Sequence, residues 1–466
     1  MLRLHDTATG VVRPLELRDP GHASMYVCGL TVQDLPHIGH GRMALVFDVI
    51  RRYLTFSGLE VRHVSNVTDI DDRIIDRAVS EGRTELEVAE EFEAAWWEAT
   101  DALGILRPHV APHATAYVEA MVSLVADLVE RGVAYPTSTG VYLEVEKVDG
   151  YGLLARQSLD SLRAGARVEV DPEKRSPLDF ALWKTAKPGE PTWDSPFGPG
   201  RPGWHTECVV MSLDLLGDGF DLHGGAGDLI FPHHENERAQ AVAEGRAFAR
   251  HWVHNGWVMT GTEKMSKSLA NFVTIADLLK GSDARAYRLL VLRSQYRSQM
   301  QVTPETIADA TSALDRLDRL ADRFSVRPQP GLATIPVPAD AGHAPDLVAA
   351  EVEAFRAHMD DDLDTPGALA GLFDAAGRAN ALGDAGDTEA ARALAETVGL
   401  LSAVLGVALG GHDSVVELDD DTSRLVIERD AARASGDWSR ADELRAELAE
   451  RGFVVEDGPS GTTLRR

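Results

Sequence analysis

A chain of 466 residues with 44% apolar and 26% charged residues has the composition of a soluble globular protein with two to four domains. Its longest apolar stretches, such as residues 400–409, fall short of the roughly 20 residues a membrane span needs, and Met1–Gly10 lacks the apolar core of a secretory signal. A net charge of −28 argues against a general polyanion binder, and two cysteines do not make a disulfide framework, so a cytoplasmic enzyme without membrane association is expected.

In chain order, Ser24–Leu30 reads as a buried strand bounded by glycine. His40–Leu54 has helical spacing, with Met43, Phe47, Ile50 and Leu54 on one stripe and Gly58 beyond its end. A second strand, Leu59–Val67, leads into Thr68-Asp69-Ile70-Asp71-Asp72. Strand–helix–strand order predicts an α/β fold with a Rossmann-like, doubly wound parallel sheet. Ligands of such sheets sit at the carboxyl ends of the strands, where Cys28, His37, His40 and Thr68 fall. Helices follow from about 84 to 131, and a Gly/Pro-rich insertion runs from about 115 to 200. His223–Asp228 reads as a flexible turn lining the site, with a plain turn as the alternative, Leu229–Phe231 and His251–Met259 as strands, and Pro232 as the opening of a helix. The expected divisions are a catalytic domain to 270, a helical region at 271–330 and, past a proline-rich linker, a helical domain at 345–409 and a small module at 420–466.

Three constellations carry chemistry. In Pro36-His37-Ile38-Gly39-His40, two histidines three apart share one face at a helix N-terminus, where unpaired N–H groups suit phosphate. Gly39 allows a flat ring such as adenine to come close. A Pro-Gly turn with incidental histidines is the plain alternative. Lys264-Met265-Ser266-Lys267-Ser268 alone reads as an exposed basic loop; paired with the histidines, it suggests a mobile arm closing over a leaving pyrophosphate. The third is a possible metal site. Cys28 ends the first strand, Cys208 begins a helical run, and His233 and Glu237 are four apart on one face; two thiolates, an imidazole and a carboxylate suit Zn²⁺. This spacing is not local, and two buried thiols remain the alternative. Asp69, Asp71 and Asp72 read better as caps of the next helix than as a Mg²⁺ cluster.

Charge is unevenly spread. Residues 341–420 carry 16 Asp/Glu against 3 Arg/Lys, whereas 421–466 carry 10 against 8. Nucleic acid would therefore need local basic surface, for which Arg285, Arg288, Arg293 and Arg297 are candidates; a solvated amphipathic helix is the alternative.

The histidine–glycine and lysine–serine motifs resemble those of class I aminoacyl-tRNA synthetases. YVCG (26–29), NVTDIDDRII (66–75), GRPGWHTEC (200–208), DLIFPHHENE (228–237), HNGWV (254–258) and EKMSKS (263–268) resemble the cysteine–tRNA ligase family within that class. The resemblance runs along nearly the whole chain. It implies ATP-dependent ligation of L-cysteine to tRNA(Cys) through a cysteinyl-adenylate, with ATP used as its Mg²⁺ complex. It implies one Zn²⁺ on Cys28, Cys208, His233 and Glu237, holding the substrate's sulfur. It places His37, Gly39, His40 and Lys267 on ATP, makes His37, His40, Lys264 and Lys267 the catalytic set, and puts Thr68 and Trp204 in the amino-acid pocket. A monomer is expected. Three positions depart from the family pattern: Leu30 replaces a usual Pro, Ala226 a common Gly, and Ala270 the Gly that follows the lysine loop. All three bear on loop motion and turnover. The competing readings are the cysteine ligase of mycothiol synthesis, which lacks a terminal module like 420–466, and a catalytically inert zinc-dependent RNA-binding protein.

Overall fold

The structure is a computed structural model describing residues 2–159, 161–162, 172–260, 263–264, 273–327, 345–410, 420–451, 453–458 and 461–465. At its centre, β1 (His22–Thr31), β2 (Glu60–Thr68), β3 (Leu222–Ala226) and β4 (His251–Asn255) form a sheet in the spatial order β4-β3-β1-β2. Every pairing is parallel, with Tyr26 opposite both Val64 and His223, and Val253 opposite Gly224. Helix α1 (Ile38–Phe56) joins β1 to β2, α2 (Trp204–Leu216) precedes β3, and α3 (Glu235–Glu244) joins β3 to β4. The chain steps from β1 to β2 on one side and places β3 on the other. This creates a switch point between β1 and β3, where ligands of parallel sheets bind.

The expected turn at His223–Asp228 is instead largely strand β3. Glycine hides it, and packing explains the glycine. A Cβ on Gly224 would lie 2.1 Å from the Phe47 ring of α1, and one on Gly225 would lie 2.8 Å from Leu229 and 2.9 Å from the His234 ring. Leu229–Phe231 is not a strand. Ile230–His234 forms a wide π-helical turn, closed by His234 N–H donating to Leu229 O at 2.8 Å. The helix therefore starts at Glu235, not at Pro232, which follows a cis Phe231–Pro232 bond. Asp71 does cap its helix, accepting from Arg73 N, whereas Asp69 binds Thr115 and Asp72 pairs with Lys184 and Arg201.

Between residues 134 and 202 lies a separate antiparallel sheet of Ala134–Pro136, Gly140–Leu143, Phe180–Thr185 and Gly200–Pro202. It shares a core with Tyr26, Cys28 and Cys208. On the opposite face of the central sheet, α1 packs into one core with helices Ala284–Leu292, Pro304–Phe324, Pro345–Asp360, Thr365–Asp384 and Thr388–Val404. The last two helices, Asp420–Ala434 and Trp438–Glu450, have their own small core with the terminal hairpin. Among the described residues, no helix is long and apolar enough to cross a membrane.

The arginines expected to form basic surface are mostly spent internally. Arg288 is buried and bonds Asp48 at 2.6 Å, Arg285 pairs with Asp283 and Asp318, and Arg297 pairs with Asp362. Helix Ala284–Leu292, which carries Arg285 and Arg288, is a core helix, so these two meet Asp318 and Asp48 on other helices. Asp48 binds Arg52 and Arg288 through one oxygen and Leu106 N–H through the other. Burial opposes its charge, but Arg288 and Arg52 hold its carboxyl below the ordinary value. Asp48→Asn leaves two guanidinium groups short of a counter-charge. It should cost about 3–5 kcal/mol, the range for breaking a buried pair, as measured by urea unfolding at pH 7. Because the folded pKa is depressed, wild type holds this contribution above the unfolded carboxyl pKa of about 4 and loses it as pH falls through the lower folded value. The gap between wild type and variant should therefore close in acid.

Candidate functional site

At its carboxyl end β1 departs from regular pairing. The register with β2 shifts between Val27 and Leu30. Gly29 N–H donates to Asn66 Oδ1 at 2.8 Å, and a Cβ on Gly29 would strike the Asn66 carbonyl at 1.6 Å. This close approach sets Cys28 at the switch point. Cys208 comes from the first turns of α2, His233 from the π-turn and Glu237 from the first turn of α3. The four ligand atoms lie within 4.8 Å of one another, all buried. Cys28 Sγ is 3.6 Å from Cys208 Sγ and 3.4 Å from Glu237 Oε1, and His233 Nε2 is 3.7 Å from Cys208 Sγ and 2.8 Å from Glu237 Oε1.

The electrostatics of this cluster suit a cation. Burial opposes a charge on Glu237, yet His223, His233 and His234 around it hold the carboxyl well below the usual range. Burial also opposes charge on His233, but Glu237 and Cys208 push it up to about 10, so the donors draw a proton to the place a metal would take. Burial pushes the Cys28 thiol up, helped by Cys208 and Glu237 beside it. Soft sulfur, imidazole and carboxylate donors in a buried group of four fit Zn²⁺.

Two residues of this region were not among the expected metal ligands. His223 and His234 form a second possible quartet with Cys28 and Glu237. His223 Nε2 is 2.5 Å from Glu237 Oε2 and His234 Nε2 is 3.3 Å from Cys28 Sγ. His234 continues through Nδ1 to His254 at 2.8 Å, and His254 to Thr7 Oγ1 at 2.7 Å. The adjacent His-His pair was the available signal for His234; His223 falls in the segment expected to line the site, but reading that segment as a flexible turn gave it no ligand role.

Trp204 opens α2 and stacks on His233, with ring centroids 4.1 Å apart. Thr68 ends β2, its hydroxyl donating to Glu207 at 2.8 Å and accepting from Asn66 at 3.1 Å. Both thus lie beside the quartet. Leu30, just past the register shift, pairs with Val67, and Ala226 pairs with Asn255.

The histidine motif opens α1 as a reciprocal cap. His37 Nδ1 accepts from His40 N–H, His40 Nδ1 accepts from His37 N–H, and the rings stack 3.5 Å apart. With both Nδ1 atoms accepting, each neutral ring carries its proton on Nε2. Burial, then His37, push His40 well below the ordinary imidazole value. Gly39 lies in the first turn of this helix.

The lysine segment is flanked by the same region. Lys264 belongs to the strand Glu263–Lys264, antiparallel to Val258–Thr260. Lys267 and Ala270 lie outside the described residues. The chain re-enters at Val273, whose carbonyl accepts from Ile38 N–H, while Ile275 N–H donates to Pro36 O.

Residues 14–312 match the family of tRNA synthetases class I (C) catalytic domains, 354–410 match the DALR domain, and 416–465 match the Cysteinyl-tRNA ligase anticodon binding domain. The chain is 46% identical to a cysteine–tRNA ligase from Chromobacterium violaceum and 45% identical to one from Alkalilimnicola ehrlichii, each alignment covering 100% of both chains. Among solved structures, it resembles methionyl-tRNA synthetase of Mycobacterium tuberculosis in complex with methionyl-adenylate. That match has a TM-score of 0.59 and 17% identity over 83% of this chain and 90% of the other. A putative arginyl-tRNA synthetase from Campylobacter jejuni matches with a TM-score of 0.54 and 12% identity, over 84% and 94%. At such identities these two speak to the fold alone.

Proposed function

The chain belongs to the cysteine–tRNA ligase family of class I aminoacyl-tRNA synthetases, and from that premise we propose that it joins L-cysteine to tRNA(Cys) through a cysteinyl-adenylate with a metal-selected thiol. The observation that carries the thiol selection is the buried quartet of Cys28, Cys208, His233 and Glu237. A zinc ion held by these four would bind the substrate's sulfur as thiolate, whereas a serine hydroxyl is a poor ligand. Apolar packing alone separates such near-isosteres by only about 10- to 200-fold.

The chain's own residues account for the rest. Trp204, against His233, walls the side-chain pocket, and Thr68, with its hydroxyl fixed by Glu207 and Asn66, offers an oriented oxygen beside it. The cysteine carboxylate attacks the α-phosphorus of ATP, forming the acyl–phosphate bond as pyrophosphate leaves. His37 and His40 donate from Nε2 to phosphate oxygens at the N-terminus of α1. Lys264 and Lys267 supply charge as pyrophosphate departs. A hydroxyl of the tRNA's terminal adenosine then attacks the cysteinyl carbonyl, and AMP leaves. The anticodon-type match at 416–465 favours tRNA over an amino-sugar acceptor. We place the reaction in the cytoplasm, expect a monomer, and take Mg²⁺ to accompany ATP.

A cysteine-dependent ATP–pyrophosphate exchange assay tests this, run with cysteine and with serine and followed by tRNA charging. Exchange with cysteine exceeding that with serine by more than about 200-fold is the expected result, since that is beyond apolar packing. Absent exchange in zinc-loaded protein would favour an inert RNA binder, and exchange without charging would favour the sugar ligase.

A further inference from the structure

Asp362 lies far in sequence from the metal quartet and from the histidine and lysine motifs, yet it joins the helical domain to the root of the lysine hairpin. It sits in the turn between helices Pro345–Asp360 and Thr365–Asp384, where Asp362 and Leu363 have φ values of 54° and 51°. Two successive non-glycine residues in the left-handed region are strained, and such strain persists only where the surroundings over-determine it. Here they do. The buried carboxylate accepts from His5 N–H at 2.7 Å, Tyr296 OH at 2.9 Å, Gln295 Nε2 at 3.2 Å and Arg297 Nε at 2.9 Å.

The segment so held, Gln295–Ser298, offers its carbonyls to a second buried hub. Arg42 of α1 donates to Tyr296 O at 3.2 Å, Ser298 O at 2.5 Å and Trp257 O at 2.7 Å. Arg42 is fully buried and follows His40 by two residues on the same helix. Trp257 precedes Val258–Thr260, the strand that pairs with both Met300–Gln301 and Glu263–Lys264. Asp362, the 295–298 segment and Arg42 therefore fix where the lysine hairpin is rooted relative to the histidine helix. None of them belongs to the metal quartet.

We infer that Asp362 is a positioning residue for ATP activation. Through Tyr296, Arg297 and Arg42 it sets the lysine hairpin against His37 and His40, so the helical domain governs the activation rate without touching substrate. This rests on the nucleotide-activation reading above. Small misplacements of reacting groups cost large factors in rate while leaving binding contacts in place. The change should accordingly fall on kcat.

The test uses the full-length protein. Asp362→Asn removes the charge that Arg297 requires, and Tyr296→Phe removes a single hydrogen bond should the first variant fold poorly. Arg323→Ala, which breaks an exposed pair between helix Pro304–Phe324 and Asp384 of the helical domain, serves as control. Cysteine-dependent exchange is read well below each melting temperature. The expected results are a roughly tenfold lower kcat for Asp362→Asn and roughly threefold for Tyr296→Phe, with KM for ATP and cysteine and zinc content unchanged. Arg323→Ala should match wild type, and Asp362→Asn combined with Arg42→Lys should lose less than the product of the single losses. Folded Asp362→Asn and Tyr296→Phe variants with wild-type kcat would overturn the inference while leaving the function intact. Absence of exchange in wild type would remove both.

Discussion

Cys208→Ser protein is expected to remain folded, lose its zinc, and lose its preference for cysteine over serine. The substitution barely changes volume at a site only 1% exposed, so packing is preserved. What changes is ligand chemistry. A thiol gives up its proton to become a soft ligand, whereas a serine hydroxyl at neutral pH does not. Replacing even a residue that merely supports a metal ligand typically costs about 10- to 100-fold in metal affinity, so loss of a ligand should exceed that. Metal analysis after dialysis against a mild chelator, beside exchange kinetics with cysteine and serine, reads both effects. ATP affinity should be little altered, because the histidine cap of α1 shares no bond with the quartet among the described contacts. Wild-type zinc stoichiometry in both Cys28→Ser and Cys208→Ser would refute the ligand assignment.

The second large effect is expected at His40. His40→Ala should lower the exchange kcat by about 100- to 1,000-fold, the usual loss when one donor to a developing charge is removed. KM for cysteine should stay put, since the thiol pocket is built elsewhere. The helix also loses half of its reciprocal cap, which costs about 0.5–2 kcal/mol and lowers the melting temperature only modestly. His40→Asn separates the two roles. Its amide can still accept from His37 N–H while offering an N–H donor, so it should recover part of the lost rate. Burial and His37 keep His40 neutral, so protonation of this ring should contribute no acid limb near pH 6–7 to the rate profile. Equal losses in kcat and in cysteine affinity would mean that His40 does not act on the phosphates.

What the sequence revealed and concealed divides along physical lines. Local periodicity showed β1, α1 and β2, and short-range chemistry showed the cap at Asp71. The four donors were legible because cysteine is scarce and His233 and Glu237 share a face. Strand β3 was hidden because its glycines serve the Phe47 and His234 rings, a cause that lies on other elements. The wide turn at Ile230–His234 imitated a strand because Leu229–Phe231 is a short apolar run, which periodicity cannot assign. Arg285, Arg288 and Arg297 resembled surface charge because their partners, Asp318, Asp48 and Asp362, are distant in sequence. Much of the apparent basic surface was thus internal, and the strained turn at Asp362 had no local signal.

Both of the chain's cysteines lie in one cluster, with sulfurs 3.6 Å apart and no other thiol anywhere in the sequence. A thiol-consuming oxidant or alkylating agent therefore has no harmless target to absorb it. Loss of sulfhydryl titre and loss of activation should follow a single curve, so counting free thiols amounts to counting working sites.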